Sequence, residues 1–282
     1  MAETTVVGLG SAARSRRFFL VGAIMVGALV LAAAAAPWLT PYDPDAIVVS
    51  VYRGPIAPGN GHLFGTDTVG RDVWARVLYG ARTSLFVGTL AMAISLVIGM
   101  AIGLGAGYFG GLVDAVLMWV VDLFLTMPSL LLLIVLATVL PPSIVTIPLV
   151  IGLLGWTTFG RTVRGEVLTL RERDYVQAAR ALGASDTRII VHHLVPGVLP
   201  GVIVLAALGM SGAIIVDAGL SYLGLGVPLP TASWGRMVSD AQTYVGVAPW
   251  LVVAPGVAIA LAVIGLNLIG YGLIDLLAER RA

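Results

Sequence analysis

Long apolar runs separated by short polar breaks set the pattern of this chain. Phe18 to Leu39 is apolar without interruption. It is long enough for a helix to cross a ~30 Å hydrocarbon core, which takes about 20 residues. Five more runs follow: Leu85–Phe109, Val113–Val139, the shorter Ser143–Phe159, Leu199–Tyr222 and Trp250–Ile274. The pattern therefore predicts six crossings. Pro37, Pro41 and Pro44 end the first, Gly110-Gly111 turn the chain between the second and third, and Pro141-Pro142 force the next turn. Pro128, near the middle of the third run, removes a backbone donor and should kink that helix. Gly99, Gly103 and Gly107 recur every four residues, a small face on which another helix can pack closely.

Two polar stretches stand out against these runs. In the first, residues 40–84, Gly65-Thr66-Asp67 and Gly70-Arg71-Asp72 have turn chemistry. Asp72 is placed to cap a helix through Val73, Trp74, Val77 and Leu78, whose single apolar stripe predicts a helix lying on the membrane surface or on its neighbours. Asp67 and Asp72 are read as turn and cap residues; no third ligand accompanies them. The second stretch, 160–196, centres on RERDYVQAARALGASDTRIIVHHLVPGVLP. Helix-forming residues fill Glu172–Leu182, and Gly183 stands where a helix end needs positive φ. Ser185 or Asp186 can cap a second short helix through Ile189, Ile190, Val191 and Leu194, which Pro196 should stop. Ala178, Ala179 and Gly183 give the pair a small surface on which something else can pack.

Composition narrows the class. The chain is 59% apolar and 11% charged, with a mean hydropathy of +1.00, whereas a soluble domain carries about a quarter charged residues. This is an integral membrane protein, all-α in fold class. Cysteine is absent, so there is no disulfide or thiolate site. All 16 basic residues are arginine. A P-loop needs a lysine on the phosphates, so any ATP hydrolysis must come from another chain. The net charge of +1 gives no reason to expect nucleic acid.

With six crossings, both termini fall on one side. That side carries Arg14, Arg16, Arg17, Arg161, Arg164, Arg171, Arg173, Arg180, Arg188, Arg280 and Arg281, against Arg53, Arg71, Arg76, Arg82 and Arg236 on the other. The asymmetry predicts cytoplasmic termini and a cytoplasmic 160–196 loop. The expected organisation is a polar, mobile tail at 1–17, a retained first helix at 18–39 (longer than a signal-peptide core), an extracytoplasmic segment at 40–84, a five-helix core at 85–277 and a tail at 278–282.

Three acids lie in or at the edge of apolar runs. Asp114 is close enough to the cytoplasmic end to be solvated. Asp122 lies two turns deeper, and Asp217 precedes AGLSYLGLG. Acids at membrane depth face the bundle interior, a partner or water. Two readings stand for Asp122 and Asp217: a translocation path, or pairing with a partner-subunit arginine or a backbone donor. No catalytic constellation emerges. His192 and His193 are adjacent and point about 100° apart on a helix, and His62 is alone in a loop.

Gln177-Ala178-Ala179, Gly183 four residues later and Pro196 beyond it resemble the EAA loop of ABC importer permeases. Asp217 with AGLSYLGLG, and the stretch from His62 to Leu85, resemble the C-type permease of the peptide/nickel importer group, and the likeness covers nearly the whole chain. The family usually has Glu where this chain has Gln177, a departure that bears on contacts needing a negative charge. The resemblance implies a type I ABC importer permease fold without enzymatic activity of its own. It implies that Tyr175, Gln177, Ala178, Ala179, Arg180, Gly183 and Pro196 belong to the segment coupled to the ATPase. Implied partners are a second, B-type permease, two ATPase subunits or one fused ATPase, an extracytoplasmic solute-binding protein and membrane lipids. ATP and Mg would sit on those ATPases, with no cofactor on this chain. Di- or oligopeptides are the implied cargo, with nickel chelates or glutathione as alternatives within the group. An ion-coupled secondary transporter is the alternative outside it, disfavoured by the absence of a visible inverted repeat. Gly183→Val or Ala179→Glu is expected to weaken ATPase docking.

Overall fold

The computed structural model describes residues 3–49, 54–59 and 61–279, with side chains described for 15–49, 54–59 and 61–277. Arg53, Arg280 and Arg281 lie outside the described residues, as do the side chain of Arg14 and most of the expected 278–282 tail. Among the described residues the chain is helical, without a strand. The elements are α1 (Glu3–Ala34), α2 (Ala36–Leu39), α3 (Val73–Phe109), α4 (Gly111–Thr126), α5 (Ser129–Val139), α6 (Thr146–Leu170), α7 (Asp174–Ala181), α8 (Asp186–Ile189), α9 (Val195–Tyr222), α10 (Trp234–Asp240) and α11 (Trp250–Glu279). Among the described residues four helices are long and apolar enough to cross a membrane, and α4 with α5 makes a fifth span when the bent pair is taken together. α6, with 25 residues, is long enough but carries Trp156, Thr157, Thr158 and Arg161 where the others carry aliphatics.

The glycine stripe works as its spacing predicts. A Cβ on Gly99 would lie 2.3 Å from the Phe159 Cβ, one on Gly103 2.7 Å from the Gly160 carbonyl, and one on Gly107 2.7 Å from the Val167 Cβ. α3 and α6 therefore meet backbone to backbone, and any side chain there would force them apart. Buried apolar side chains succeed one another along α3. Val73, Val77 and Ala81 pack with Trp234 and Leu251; Val87 and Ala91 with Leu133 and Val150; Tyr108 with Val163, Val176 and Leu194. α1 lies against α11, where Gly22 and Gly265 allow close approach and Ser15 Oγ donates to Asp275 Oδ2 at 2.8 Å.

Several expected boundaries move, those around Arg82, Arg161 and Arg164 for one physical reason. The expected surface helix at 72–78 is the first turns of α3, continuous with the second crossing. Arg82, where the apolar run was broken, bends back to donate to the Ala33 and Ala34 carbonyls at 2.6 and 3.0 Å. The fourth crossing does not stop at Phe159; α6 continues to Leu170, its Arg161 and Arg164 neutralised by aspartates of α4. Residues from Glu3 onward, expected as a mobile tail, continue α1 as helix. A charge ends a hydrophobic pattern but not a helix when it finds a partner. Pro128 breaks the third crossing outright, α4 and α5 meeting at 85°.

Pro196 does not stop the helix that begins at Asp186. The turn before it, Ile190–Leu194, widens to π geometry, and the Val195 N–H reaches back to the Ile190 carbonyl. The wider turn absorbs the missing donor and the bulk of the ring. Asp186 to Tyr222 is therefore one helical rod of 37 residues.

Candidate functional site

The 171–196 segment hangs between two rigid helix ends. α6 enters it at Leu170, and the Asp186–Tyr222 rod leaves it. Arg171 donates through Nη1 to the Gly107 carbonyl at 2.8 Å, tying the entry to the end of α3. α7 then runs from Asp174, and Leu182 and Ala184 donate to the Ala178 and Ala179 carbonyls at 3.0 Å. Closing the helix this way needs Gly183 at φ +81°, as its position in the sequence predicts. Ser185 caps the next helix, accepting from the Arg188 N–H.

One side chain of α7 anchors it: Val176 is fully buried beside Ile189, Leu194 and Val167. The rest face outward. Tyr175, Gln177, Ala178 and Arg180 are exposed, Ala179 is half-buried, and Leu182 is 89% exposed. A leucine with almost all its surface in the open, on a helix of eight residues held by one buried valine, is an unfinished contact. By composition Leu182 is only a helix former; its position next to Gly183 is the one signal of this exposure in the sequence. Arg180, a fixed positive charge, stands 5.4 Å from the Tyr108 ring centre, and the neighbouring Tyr108 side chain raises its pKa. Tyr108 donates onward to Asp186 at 2.6 Å, linking α3 to the start of the rod. Beside Tyr175 a groove of about 680 Å³ runs between α6 and the rod, bordered by Glu166, Arg173 and Gly197. The carboxylate of Glu166, which the sequence places in the polar loop, packs over the backbone of Gly201.

The Cβ that Gly183→Val would add meets nothing within 4 Å. The substitution would strain a left-handed backbone rather than crowd an existing contact within this chain, so it is a poor probe of docking. Pro196 lies in the rod, at the start of α9 just after the wide turn, rather than in α7. His192 is exposed, and the His193 ring lies 6.0 Å from that of Tyr175.

The membrane acids separate into two situations. Asp114 receives a bidentate pair from Arg164, at 2.5 and 2.6 Å, and is paired rather than merely solvated. Asp122 accepts from Arg161 at 2.5 Å; the two side chains remain 60% and 57% exposed. Asp217 is elsewhere, 1% exposed, and among the described residues its Oδ1 has no hydrogen-bond partner; Ser221, one turn later, has none for its Oγ either. Asp122 and Asp217 thus do not share an environment. Between α3, α5, α6 and α9 opens a cleft of about 530 Å³, with Ser95, Ser129, Thr158 and Gly212 among its walls.

Residues 99–282 match the family described as binding-protein-dependent transport system inner membrane component, and residues 13–58 match the N-terminal TM domain of oligopeptide transport permease C. The chain is 40% identical, over 94% of its length and 86% of the relative's, to the dipeptide transport system permease protein DppC of Alkalihalophilus pseudofirmus. The chain belongs to the inner-membrane permeases of binding-protein-dependent ABC transport. Other permeases of the family include the oligopeptide transport system permease protein OppC of Bacillus subtilis, 38% identical over 94% of this chain and 86% of that one. Another is the probable D,D-dipeptide transport system permease protein DdpC of Escherichia coli, 39% identical over 90% of this chain and 85% of that one. In fold, the permease is similar to a chain of the inward-facing MetNI methionine ABC transporter, with a TM-score of 0.57 at 18% identity, covering 73% of this chain and 96% of that one.

Proposed function

We propose that this permease is one of two membrane subunits through which an ATP-driven importer moves short peptides. A separate ATPase would dock on the exposed face of α7. The observation that carries the docking reading is the geometry of that face: Val176 fixes the helix to its own bundle, while Tyr175, Gln177, Ala178, Arg180 and Leu182 are left for something else. Short turns at 171–173 and 182–185 join α7 to long helices on both sides, so a push on α7 passes through few loop residues before it reaches a rod. A docked ATPase shifts the bundle only by the difference in its contacts between two states. The excess of arginine around this segment supports placing it, and both termini, in the cytoplasm. With no lysine in the chain, ATP and Mg belong on the ATPase. Peptide as the cargo is supported by the peptide-transport names of relatives near 40% identity.

The test is affinity purification of the tagged permease in mild detergent, followed by mass spectrometry and uptake assays. The expected companions are a P-loop ATPase, a second permease and a solute-binding protein, with vanadate-sensitive uptake of dipeptides. Recovery of the chain alone, or uptake stopped by a proton ionophore and not by vanadate, would contradict the reading. Uptake of nickel or glutathione in place of peptides would move it within the family.

A further inference from the structure

The cleft between α3, α5, α6 and α9 points to a use beyond a shared path between two permeases. We propose that it is a subsite of this chain that receives a side chain of the transported peptide, with the Asp122–Arg161 pair at its edge engaging the peptide's charged groups. The inference rests on the peptide-import reading above.

Three observations carry it. The cleft's volume, about 530 Å³, falls in the ~300–1,000 Å³ range of small-molecule sites. Its walls are largely aliphatic, with the hydroxyls of Ser129 and Thr158 among them. Second, the ion pair lies at its border by helical register. Asp122 is one turn before Leu125, and Arg161 one turn after Thr157 and Thr158, all three of which line the cleft. Both partners stay more than half exposed. Charges at membrane depth face water or protein rather than hydrocarbon, so this edge opens toward a path or a partner and not toward lipid. A lipid tail has no use for a carboxylate beside a guanidinium. A short peptide, with an ammonium, a carboxylate and a variable side chain, matches the pair and the apolar walls together.

Third, Gly212 leaves the cleft open. It lines the cleft, and a Cβ built on it meets nothing within 4 Å. A side chain there would occupy the space a substrate side chain needs. Gly212 stands on the rod that starts at Asp186, so the wall it forms moves with the segment that follows α7.

The experiment uses the complete transporter in proteoliposomes, with saturating binding protein, so that delivery does not decide selectivity. Uptake of Leu-Leu and Gly-Gly is measured for the wild type and for Gly212→Leu. The Leu-Leu to Gly-Gly ratio is expected to fall about tenfold, the scale of discrimination that a few methylenes give in a pocket. Arg161→Gln is expected to raise the KM for both peptides. If Gly212→Leu does not assemble with the ATPase, Gly212→Ala carries the same test, with a smaller fall in the ratio. An unchanged ratio in an assembled variant would overturn the subsite and leave the cleft to lipid or to the second permease. A wild-type complex that moves neither peptide would overturn the proposed function, and the subsite with it.

Discussion

The two ends of α3 are finished differently. Its 37 residues make a rod about 55 Å long, with Arg76 near the start and Gly107, bonded to Arg171, near the end. At the start, the polar groups are sealed in. Arg76 is 1% exposed, donates to the Pro44 carbonyl at 2.9 Å and lies against Asp45 and Asp67. Asp72 is likewise buried, capping α3 through the Ala75 N–H at 2.7 Å while its other oxygen holds His62 at 2.8 Å. At the far end, the pairs are partly or wholly open, and Leu182 is almost bare. The first end is closed mainly by this chain's own residues, the Arg76 Nη2 being a buried donor there without a hydrogen-bond partner among the described residues. The second is left open, as the proposed docking of an ATPase requires.

The comparison can be broken by substitution. Arg76→Met should have the largest effect on the isolated permease, because it removes the buried guanidinium that donates to the Pro44 carbonyl and lies against Asp45 and Asp67, although Asp67 keeps Arg71 at 2.7 Å; the expected loss is about 1–3 kcal/mol. It would be read as a lower Tm of the detergent-solubilised protein. Asp72→Ala removes an N-cap and the partner of His62 at once, and should destabilise by about 0.5–2 kcal/mol for the cap alone, measured the same way. Arg161→Gln opens an exposed pair, so its stability cost should stay below about 1 kcal/mol even as peptide uptake changes. Leu182→Asp, at the open end, should move subunit stability by no more than about 0.5 kcal/mol. A reversed order, with Leu182→Asp more damaging to Tm than Arg76→Met, would undo the contrast between the ends.

Much of this was readable in the residues. The glycine period at 99, 103 and 107 gave a close helix contact, because only a backbone fits at those positions, but not that α6 would make it. Asp72 as a cap and Gly183 as a left-handed terminus followed from local chemistry. The helix limits around Arg82, Arg161 and Pro196 did not. Each depended on a partner distant in sequence, or on a wide turn, that no local pattern displays: the Ala33 carbonyl for Arg82, Asp122 for Arg161, the Ile190 carbonyl for the Val195 N–H. The candidate docking face was legible as a motif. Its most exposed member, Leu182, was not, since helix propensity does not say which leucine of a short helix lacks a core to enter. Asp122 and Asp217 looked alike as membrane acids. Packing alone separates them, one in an open ion pair and the other buried without a partner for its Oδ1 among the described residues.

The most direct test of the account is the amount of ATPase that purifies with the tagged permease, normalised to the second permease, for wild type and Leu182→Asp. The account predicts a fall of about tenfold or more, as for removal of a buried interface anchor, with the second permease retained and the Tm unchanged. Equal recovery of the ATPase with both proteins would contradict the claim that the bare face of α7 is where the motor binds.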